Sequence, residues 1–251
     1  MGLPAHDDKA LARLAFERLW RRELEEGIKF APFSPTWLRA ILEGCGFRED
    51  MRVLEVGSGS GILSYELARR GARATLLDIS GLAIKISSRL FGANGSSGAF
   101  VVADAGAMPF ADNTFDAVFS SGLLEHFEKS EASQFMEEKA RVLKTGGRIV
   151  ALAPSARGVI YRVGKRWMER EGCWQWGKEK PLWSYRRITP RGVKMLKEYQ
   201  LDIFSQVAFM PPRYRKKLDS LLRFFARDEL DSPFLAKITG GYLLAGVFEK
   251  T

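Results

Sequence analysis

Apolar runs alternate with amphipathic stretches through the middle of the chain. The apolar runs predict buried strands over residues 52–56, 72–78, 99–104, 115–121 and 147–153. Between them, the helical spacing of apolar residues predicts helices over 61–70, 80–91 and 130–143. Strands that are apolar along their whole length and alternate with helices form a parallel sheet with helices on both faces. The pattern therefore predicts an α/β domain.

The two ends of the chain do not show this regular alternation of strands and helices. Residues 8–26 have apolar positions at helical spacing, and a shorter helix is predicted to follow Ser34 and Pro35. After residue 154 no clear strand is visible until about residue 187. A helix is then predicted to begin at Thr189 and Pro190, and we expect the later elements to be a strand over 202–210, a basic helix over 213–229 and a final strand over 241–249.

The composition and charge of the chain argue against a metal-binding, membrane-spanning or secreted protein. The chain has 251 residues, of which 46% are hydrophobic, and a net charge of +9 that is concentrated in the C-terminal half. Residues 155–187 contain nine Lys or Arg against three Glu. The two Cys and two His residues are not at metal-ligand spacing, so no metal site is expected. No apolar run is long enough to span a bilayer, and the charged N-terminus lacks the apolar centre of a signal peptide, so a cytoplasmic protein is expected.

The segment VLEVGSGSG, residues 53–61, carries the first chemical signal. Glycines stand at positions 57, 59 and 61 directly after a predicted strand. A dinucleotide-binding loop has the spacing G-x-G-x-x-G, but position 62 is Ile, which disfavours an NAD-dependent enzyme. The next two strands end in Asp78 and Asp104. The carboxyl ends of parallel strands meet at one edge of a sheet, so we expect these groups to line a single crevice.

Several motifs together resemble one enzyme family. These motifs are VLEVGSGSG, LLDIS, VVADAGAMPF, FDAVFSSGLLEHF and RVLKTGGRIVALAP. In order and spacing they are similar to those of the class I S-adenosylmethionine-dependent methyltransferases, in the branch that modifies small molecules. The resemblance covers residues 47–154. It implies a Rossmann-like, three-layer fold with a seven-stranded, mostly parallel sheet whose last strand is antiparallel.

The resemblance also implies a division of the single domain. Residues 1–44 would form an N-terminal helical cap, in which Trp20 closes over the cofactor, and 45–154 the cofactor-binding core. Residues 155–189 would form a basic, Trp-rich lid inserted after the fifth strand, and 190–251 would complete the sheet.

S-adenosylmethionine is the implied cofactor. The resemblance implies that Glu55 faces its amino group and that Asp78 binds both ribose hydroxyls. Asp104 and Ala105 would bind the adenine, and the exposed N–H groups of the glycine loop would favour the carboxylate of the methionine part. The implied cofactor-binding residues are Glu55, Gly57, Ser58, Gly59, Gly61, Asp78, Ile79, Asp104, Ala105, Ser120 and Ser121.

His126 is the candidate general base, because it follows the fourth strand and has a near-neutral pKa when unperturbed. A structural role for His126 at the start of the next helix is the alternative. Glu125, Tyr161 and Tyr185 are weaker candidates for a catalytic role.

Three interpretations of the basic insertion stay open. It could bind nucleic acid through cations and stacked bases, although the motifs typical of base-methylating enzymes are missing. It could instead cover a small-molecule acceptor, acidic or lipophilic, with a basic helix that contacts a membrane surface. Alternatively, its Trp residues form a core and its charges face solvent.

The alternatives for the whole chain follow from these interpretations. The main prediction is a methyltransferase with a small-molecule acceptor bound under residues 155–189. An RNA or protein methyltransferase that uses the basic C-terminal half is the first alternative. A cofactor-binding regulatory subunit without catalysis is the second.

Overall fold

A computed structural model describes residues 8–26, 34–225 and 239–251. The helices are α1 (Asp8–Glu26), α2 (Pro35–Cys45), α3 (Ile62–Ala68), α4 (Gly81–Ala93), α5 (Lys129–Val142), α6 (Val159–Arg170) and α7 (Pro212–Phe225). The strands are β1 (Arg52–Val56), β2 (Arg73–Asp78), β3 (Ala99–Val102), β4 (Phe115–Ser121), β5 (Leu143–Pro154), β6 (Val193–Leu201) and β7 (Leu243–Lys250). Short 3-10 helices occupy Leu124–His126, Arg186–Ile188 and Phe204–Phe209.

The strands form one seven-stranded sheet in the order β3-β2-β1-β4-β5-β7-β6. β1 to β5 pair in parallel, whereas β7 is antiparallel to both of its neighbours, β5 and β6. The predicted fold class is therefore confirmed. The parallel arrangement brings the carboxyl ends of β1, β2 and β4 to the same edge.

Helices cover both faces of the sheet. Successive residues of a strand point to opposite faces, so Val53 packs with α2 and α3 while Leu54 packs with α5. The same division holds for Phe119 and Val118 in β4. This burial on both faces explains why the central strands are apolar throughout.

The segment after the insertion corrects two predictions. No helix begins at Thr189 and Pro190, because residues 193–201 form β6, paired along its length with β7. Lys, Met, Leu and Glu in this segment favour a helix locally, but pairing with β7 overrides that preference. The predicted strand over 202–210 is also wrong. Asp202 adopts a φ of 61°, and its Oδ1 accepts a hydrogen bond from the Ser205 N–H at 3.1 Å, which begins the 3-10 helix Phe204–Phe209.

Parts of the predicted elements lie outside the described residues. These are residues 1–7 and 27–33 of the predicted N-terminal cap and the predicted end of the basic helix beyond residue 225. Among the residues that are described, no helix is both long and apolar enough to cross a membrane.

Candidate active site

The glycine loop joins β1 to α3 through left-handed backbone. Gly57, Gly59 and Gly61 have φ values of 72°, 51° and 73°, which residues with a Cβ rarely adopt. The N–H groups of Gly57 and Ser58 donate to the Leu77 carbonyl, and that of Gly61 donates to the Ser58 carbonyl. These N–H groups were expected to be exposed and to favour the cofactor carboxylate. In the structure they instead donate to backbone carbonyls and so stabilise the loop conformation.

Asp78, at the end of β2, is fixed by the glycine loop and by the start of α4. Its Oδ2 accepts a hydrogen bond from the Gly59 N–H at 2.9 Å, and its Oδ1 accepts one from the Ser80 N–H at 2.8 Å. The Ser80 hydroxyl in turn donates to Glu17 Oε1 of α1 at 3.0 Å. Burial raises the pKa of Asp78 above its usual value, although these two N–H groups oppose the shift.

Glu55 is a buried acid in β1. Its carboxylate accepts a hydrogen bond from the Ser64 N–H at 3.3 Å. Burial raises the pKa of Glu55 to about 8, with a smaller contribution from the nearby charge of Asp78. The Ser58 hydroxyl is also buried and has no hydrogen-bond partner among the described residues. Buried polar groups are usually paired, so an unpaired buried hydroxyl is typical of a polar ligand site.

A cavity of about 90 Å³ lies at the carboxyl edge of the sheet. Of the predicted site residues, it brings together Gly57, Asp78, Ile79, Asp104, Ala105 and His126. Its remaining lining residues are Phe16, Trp20, Leu77, Ala103, Gly122, Leu123, Phe127 and Phe135. Four other predicted residues are not part of this lining, namely Glu55, Ser58, Gly59 and Gly61. The cavity wall therefore combines two carboxylates with a largely apolar surface.

Helix α1 covers the glycine loop. A Cβ added to Gly59 would lie 2.9 Å from the Trp20 indole, so that ring rests directly on the loop. The Phe16 ring packs edge-on against the His126 imidazole, with 5.0 Å between the ring centroids. These two aromatic side chains of α1 therefore cover one side of the cavity.

Ser120 and Ser121 do not line the cavity, which is bounded there by Gly122 and Leu123. Instead, the Ser120 hydroxyl accepts a hydrogen bond from Lys139 Nζ at 2.6 Å. Lys139 is fully buried, and burial lowers the pKa of its amine to about 7. Our prediction missed Lys139, although the sequence indicates its burial. Lys139 lies at helical spacing among the apolar residues of α5.

His126 lies at the boundary between the cavity and the insertion. Its Nδ1 is 3.0 Å from the Lys178 carbonyl oxygen, and its Nε2 is 3.8 Å from Glu125 Oε1. Burial lowers the pKa of His126 to about 4, so the ring is neutral near pH 7 and a poor general base. Burial also raises the pKa of Glu125, and it raises that of Glu179 in the insertion to about 7.

The insertion packs its aromatic residues against one another. The Trp174 and Trp176 ring centroids lie 4.8 Å apart, and both rings contact Phe209. Tyr161 joins the same cluster, with its centroid 5.0 Å from that of Phe209. Trp174 and Trp176 thus pack into an aromatic cluster that extends beyond the insertion to Phe209, whereas Trp183 is 63% exposed.

A family model described as a methyltransferase domain matches residues 54–151. This range runs from β1 into β5. It contains the glycine loop, Asp78, Asp104 and the turn at His126, so the matched region supplies all of the cavity lining except Phe16 and Trp20.

Curated relatives match the same part of the chain. It is 35% identical over 122 residues to the ubiquinone/menaquinone biosynthesis C-methyltransferase of Cellvibrio japonicus, covering 46% of this chain and 48% of that protein. It is 35% identical over 114 residues to the demethylmenaquinone methyltransferase of Renibacterium salmoninarum, covering 45% and 46%. The chain thus spans about half the length of the curated relatives it matches.

Solved structures share the fold over nearly the whole chain. Magnesium protoporphyrin IX methyltransferase from Synechocystis PCC 6803 with bound SAH has a TM-score of 0.63 at 16% identity, covering 98% of this chain and 100% of that one. The cyclase SpnF has a TM-score of 0.63 at 16% identity, covering 100% and 98%. At such low sequence identity, the structural likeness establishes the fold alone, and one fold can host different reactions. Residues 54–151 thus match a methyltransferase domain, and the chain has the fold of the class I S-adenosylmethionine-dependent methyltransferases.

Proposed function

We propose that this chain is an S-adenosylmethionine-dependent methyltransferase that acts on a small-molecule acceptor. The observation that carries the proposal is the cavity at the carboxyl edge of the sheet, where Asp78 and Asp104 meet the glycine loop inside the matched region. The cofactor supplies a methyl group on a positively charged sulfur. The protein must therefore mainly align the two reactants and exclude water.

The residues around the cavity fit this cofactor. The Ser58 hydroxyl, which no described residue pairs with, offers a polar contact, and the buried acid Glu55 suits a positively charged amino group. Each carboxylate oxygen of Asp78 already accepts one backbone N–H and can accept a second hydrogen bond. In this assignment Asp78 binds the two ribose hydroxyls, and Asp104 with Ala105 binds the adenine.

An apolar, aromatic acceptor fits the chain best. Phe16, Leu123 and Phe127 give the cavity a hydrophobic wall beside His126. The matching relatives include a ubiquinone/menaquinone biosynthesis C-methyltransferase and a demethylmenaquinone methyltransferase. We therefore assign an acceptor of quinone-precursor type, which enters between α1 and the turn at His126.

Transfer of a labelled methyl group tests the proposal. Purified protein is incubated with tritium-labelled S-adenosylmethionine and with separate organic-soluble, aqueous small-molecule, RNA and protein fractions of a cell extract. We expect label in an organic-soluble small molecule, and no label with an Asp78→Ala variant. Label in RNA or protein would favour the first alternative, and cofactor binding without any transfer would favour the regulatory subunit.

Helix α1 must move before the cofactor can enter. The cavity of about 90 Å³ is smaller than the ligand pockets of about 300–1,000 Å³ that enclose molecules of this size. Removing the indole that rests on Gly59 opens the path, so we expect Trp20→Ala to raise the association rate constant of S-adenosylhomocysteine at least about tenfold. Surface plasmon resonance measures this rate directly.

The matched control for this variant is Trp183→Ala. Its side chain is exposed and does not line the cavity, so both rate constants should stay at their wild-type values. An unchanged association rate in Trp20→Ala would show that α1 does not limit entry.

Glu55 makes cofactor binding depend on pH. With a pKa of about 8, its carboxyl is protonated in the free protein at neutral pH, whereas an ammonium group beside it favours the ionised form. Binding therefore releases a proton. The affinity for S-adenosylhomocysteine should rise by up to about tenfold per pH unit as the pH increases from about 6 toward 8.

Calorimetric titrations at several pH values measure this dependence. Glu55→Gln should bind more weakly near pH 8 and with little pH dependence. Glu49→Gln, a substitution at an exposed position, should keep the wild-type slope. A wild-type affinity that stays flat across this range would mean that Glu55 does not face the amino group.

A further inference from the structure

Three side chains that can bind a metal ion meet beside the cofactor cavity. Glu125 and His126 come from the 3-10 helix after β4, and Glu179 comes from the insertion. One oxygen of each carboxylate and one imidazole nitrogen all lie within 4.8 Å of one another. Because Glu179 is distant in sequence, the spacing of Cys and His residues could not reveal this group.

The hydrogen bond of His126 fixes which nitrogen is available. Its Nδ1 lies 3.0 Å from the Lys178 carbonyl oxygen, which can only accept, so Nδ1 carries the hydrogen. The lone pair is therefore on Nε2, which faces Glu125 Oε1 at 3.8 Å. Histidine ligands of metal ions characteristically donate their other N–H to a backbone carbonyl or a carboxylate in this way.

Glu125 supplies an independent observation. Its side chain is 98% buried, given its 2% exposure, and points toward the His126 ring. Its Oε2 has no hydrogen-bond partner among the described residues. The other oxygen, Oε1, faces the His126 Nε2 lone pair at 3.8 Å, so two acceptors face each other without a hydrogen between them. A cation between them would satisfy both.

The surrounding residues hold the third ligand in place. The Tyr161 hydroxyl donates a hydrogen bond to Glu179 Oε2, and the Lys180 N–H donates to the Glu125 carbonyl at 2.7 Å. The first contact fixes Glu179 within the insertion, and the second ties the insertion to the turn that carries the other two ligands. Such outer contacts orient metal ligands in known sites.

We propose that Glu125, His126 and Glu179 form a binding site for a divalent transition-metal cation. One imidazole nitrogen and two carboxylates match the ligand preferences of Zn²⁺ and of Mn²⁺ or Fe²⁺. Because only three protein ligands converge, coordination positions stay open. His126 also lines the cavity, so the cation can polarise an oxygen of the acceptor, and this role alone rests on the proposed function.

Calorimetric titration with Zn²⁺ alone tests the site. The protein is the untagged, chelator-treated full chain carrying Cys173→Ser, which removes an exposed thiol that could bind the ion. We expect one equivalent to bind with a Kd of about 1 μM or tighter. Glu179→Gln should weaken binding at least about tenfold, because the amide keeps the shape of the side chain but loses its charge.

Glu171→Gln is the matched control, since Glu171 belongs to the same insertion and is exposed to solvent. It should leave the Kd unchanged. Thermal melting without Zn²⁺ verifies that each variant is folded, and the visible spectrum of Co²⁺-loaded protein should change in Glu179→Gln only. Absence of Zn²⁺ binding, or binding that Glu179→Gln does not weaken, would overturn the proposal. The titration contains neither cofactor nor acceptor, so its outcome is independent of methyl transfer.

Discussion

Asp78→Ala is expected to weaken the binding of S-adenosylhomocysteine by at least about 100-fold. Each hydrogen bond to a charged group contributes about 1.5–3 kcal/mol, and the carboxylate makes two of them in the proposed assignment. The substitution also removes the acceptor for the Gly59 N–H, so the loop loses an anchor at the same time. Isothermal titration calorimetry gives the affinity of both proteins.

The control for Asp78→Ala is Asp219→Ala. Asp219 lies on α7 and pairs with Arg223 at the surface, so its removal should leave the affinity unchanged. Melting temperatures of both variants separate lost contacts from lost folding. An affinity for Asp78→Ala within a few-fold of the wild-type value, in a folded protein, would contradict the assigned role.

Gly61→Ala is expected to lower the free energy of unfolding by about 2–6 kcal/mol. The residue has a φ of 73°, and a left-handed conformation costs residues with a Cβ about 1–3 kcal/mol. The added methyl would also lie 2.6 Å from a methyl carbon of Leu76 and 2.8 Å from the Ser87 hydroxyl oxygen. Overpacking of this kind adds about 1–3 kcal/mol. Urea denaturation measures the difference.

Gly81→Ala serves as the comparison for Gly61→Ala. Gly81 begins α4, and an added Cβ meets nothing within 4 Å. Alanine favours helix formation over glycine, so this variant should be as stable as the wild type or slightly more stable. Equal stability of Gly61→Ala and the wild type would show that the loop tolerates a side chain.

The sequence predicted the parallel part of the sheet because local and long-range preferences agree there. β1, β2 and β4 are buried on both faces, so their apolar runs leave little alternative to a central strand. Asp78 and Asp104 could be placed in one crevice for the same reason, since the carboxyl ends of parallel strands share an edge.

The segment 193–201 shows where prediction from the sequence failed. Its residues favour a helix, and what makes it a strand is the register with β7, in which Val193 pairs with Lys250 and Leu201 with Leu243. A pairing between segments so far apart in the chain leaves no trace in a short window of sequence.

The candidate site was predictable only in part, because some of its contacts also join segments that are far apart in the chain. The glycine loop and its acids lie within one continuous match. By contrast, the packing of Phe16 on His126 and the meeting of Glu125 with Glu179 depend on where α1 and the insertion fold back onto the sheet. Ser120 was assigned to the crevice, but its partner is a buried amine on α5.

A crystal structure of the protein with S-adenosylhomocysteine tests the central claim most directly. The account predicts the ribose hydroxyls within hydrogen-bonding distance of the Asp78 carboxylate, the adenine beside Asp104 and Ala105, and the amino group facing Glu55. Electron density for the ligand outside this cavity, or a ribose remote from Asp78, would contradict it.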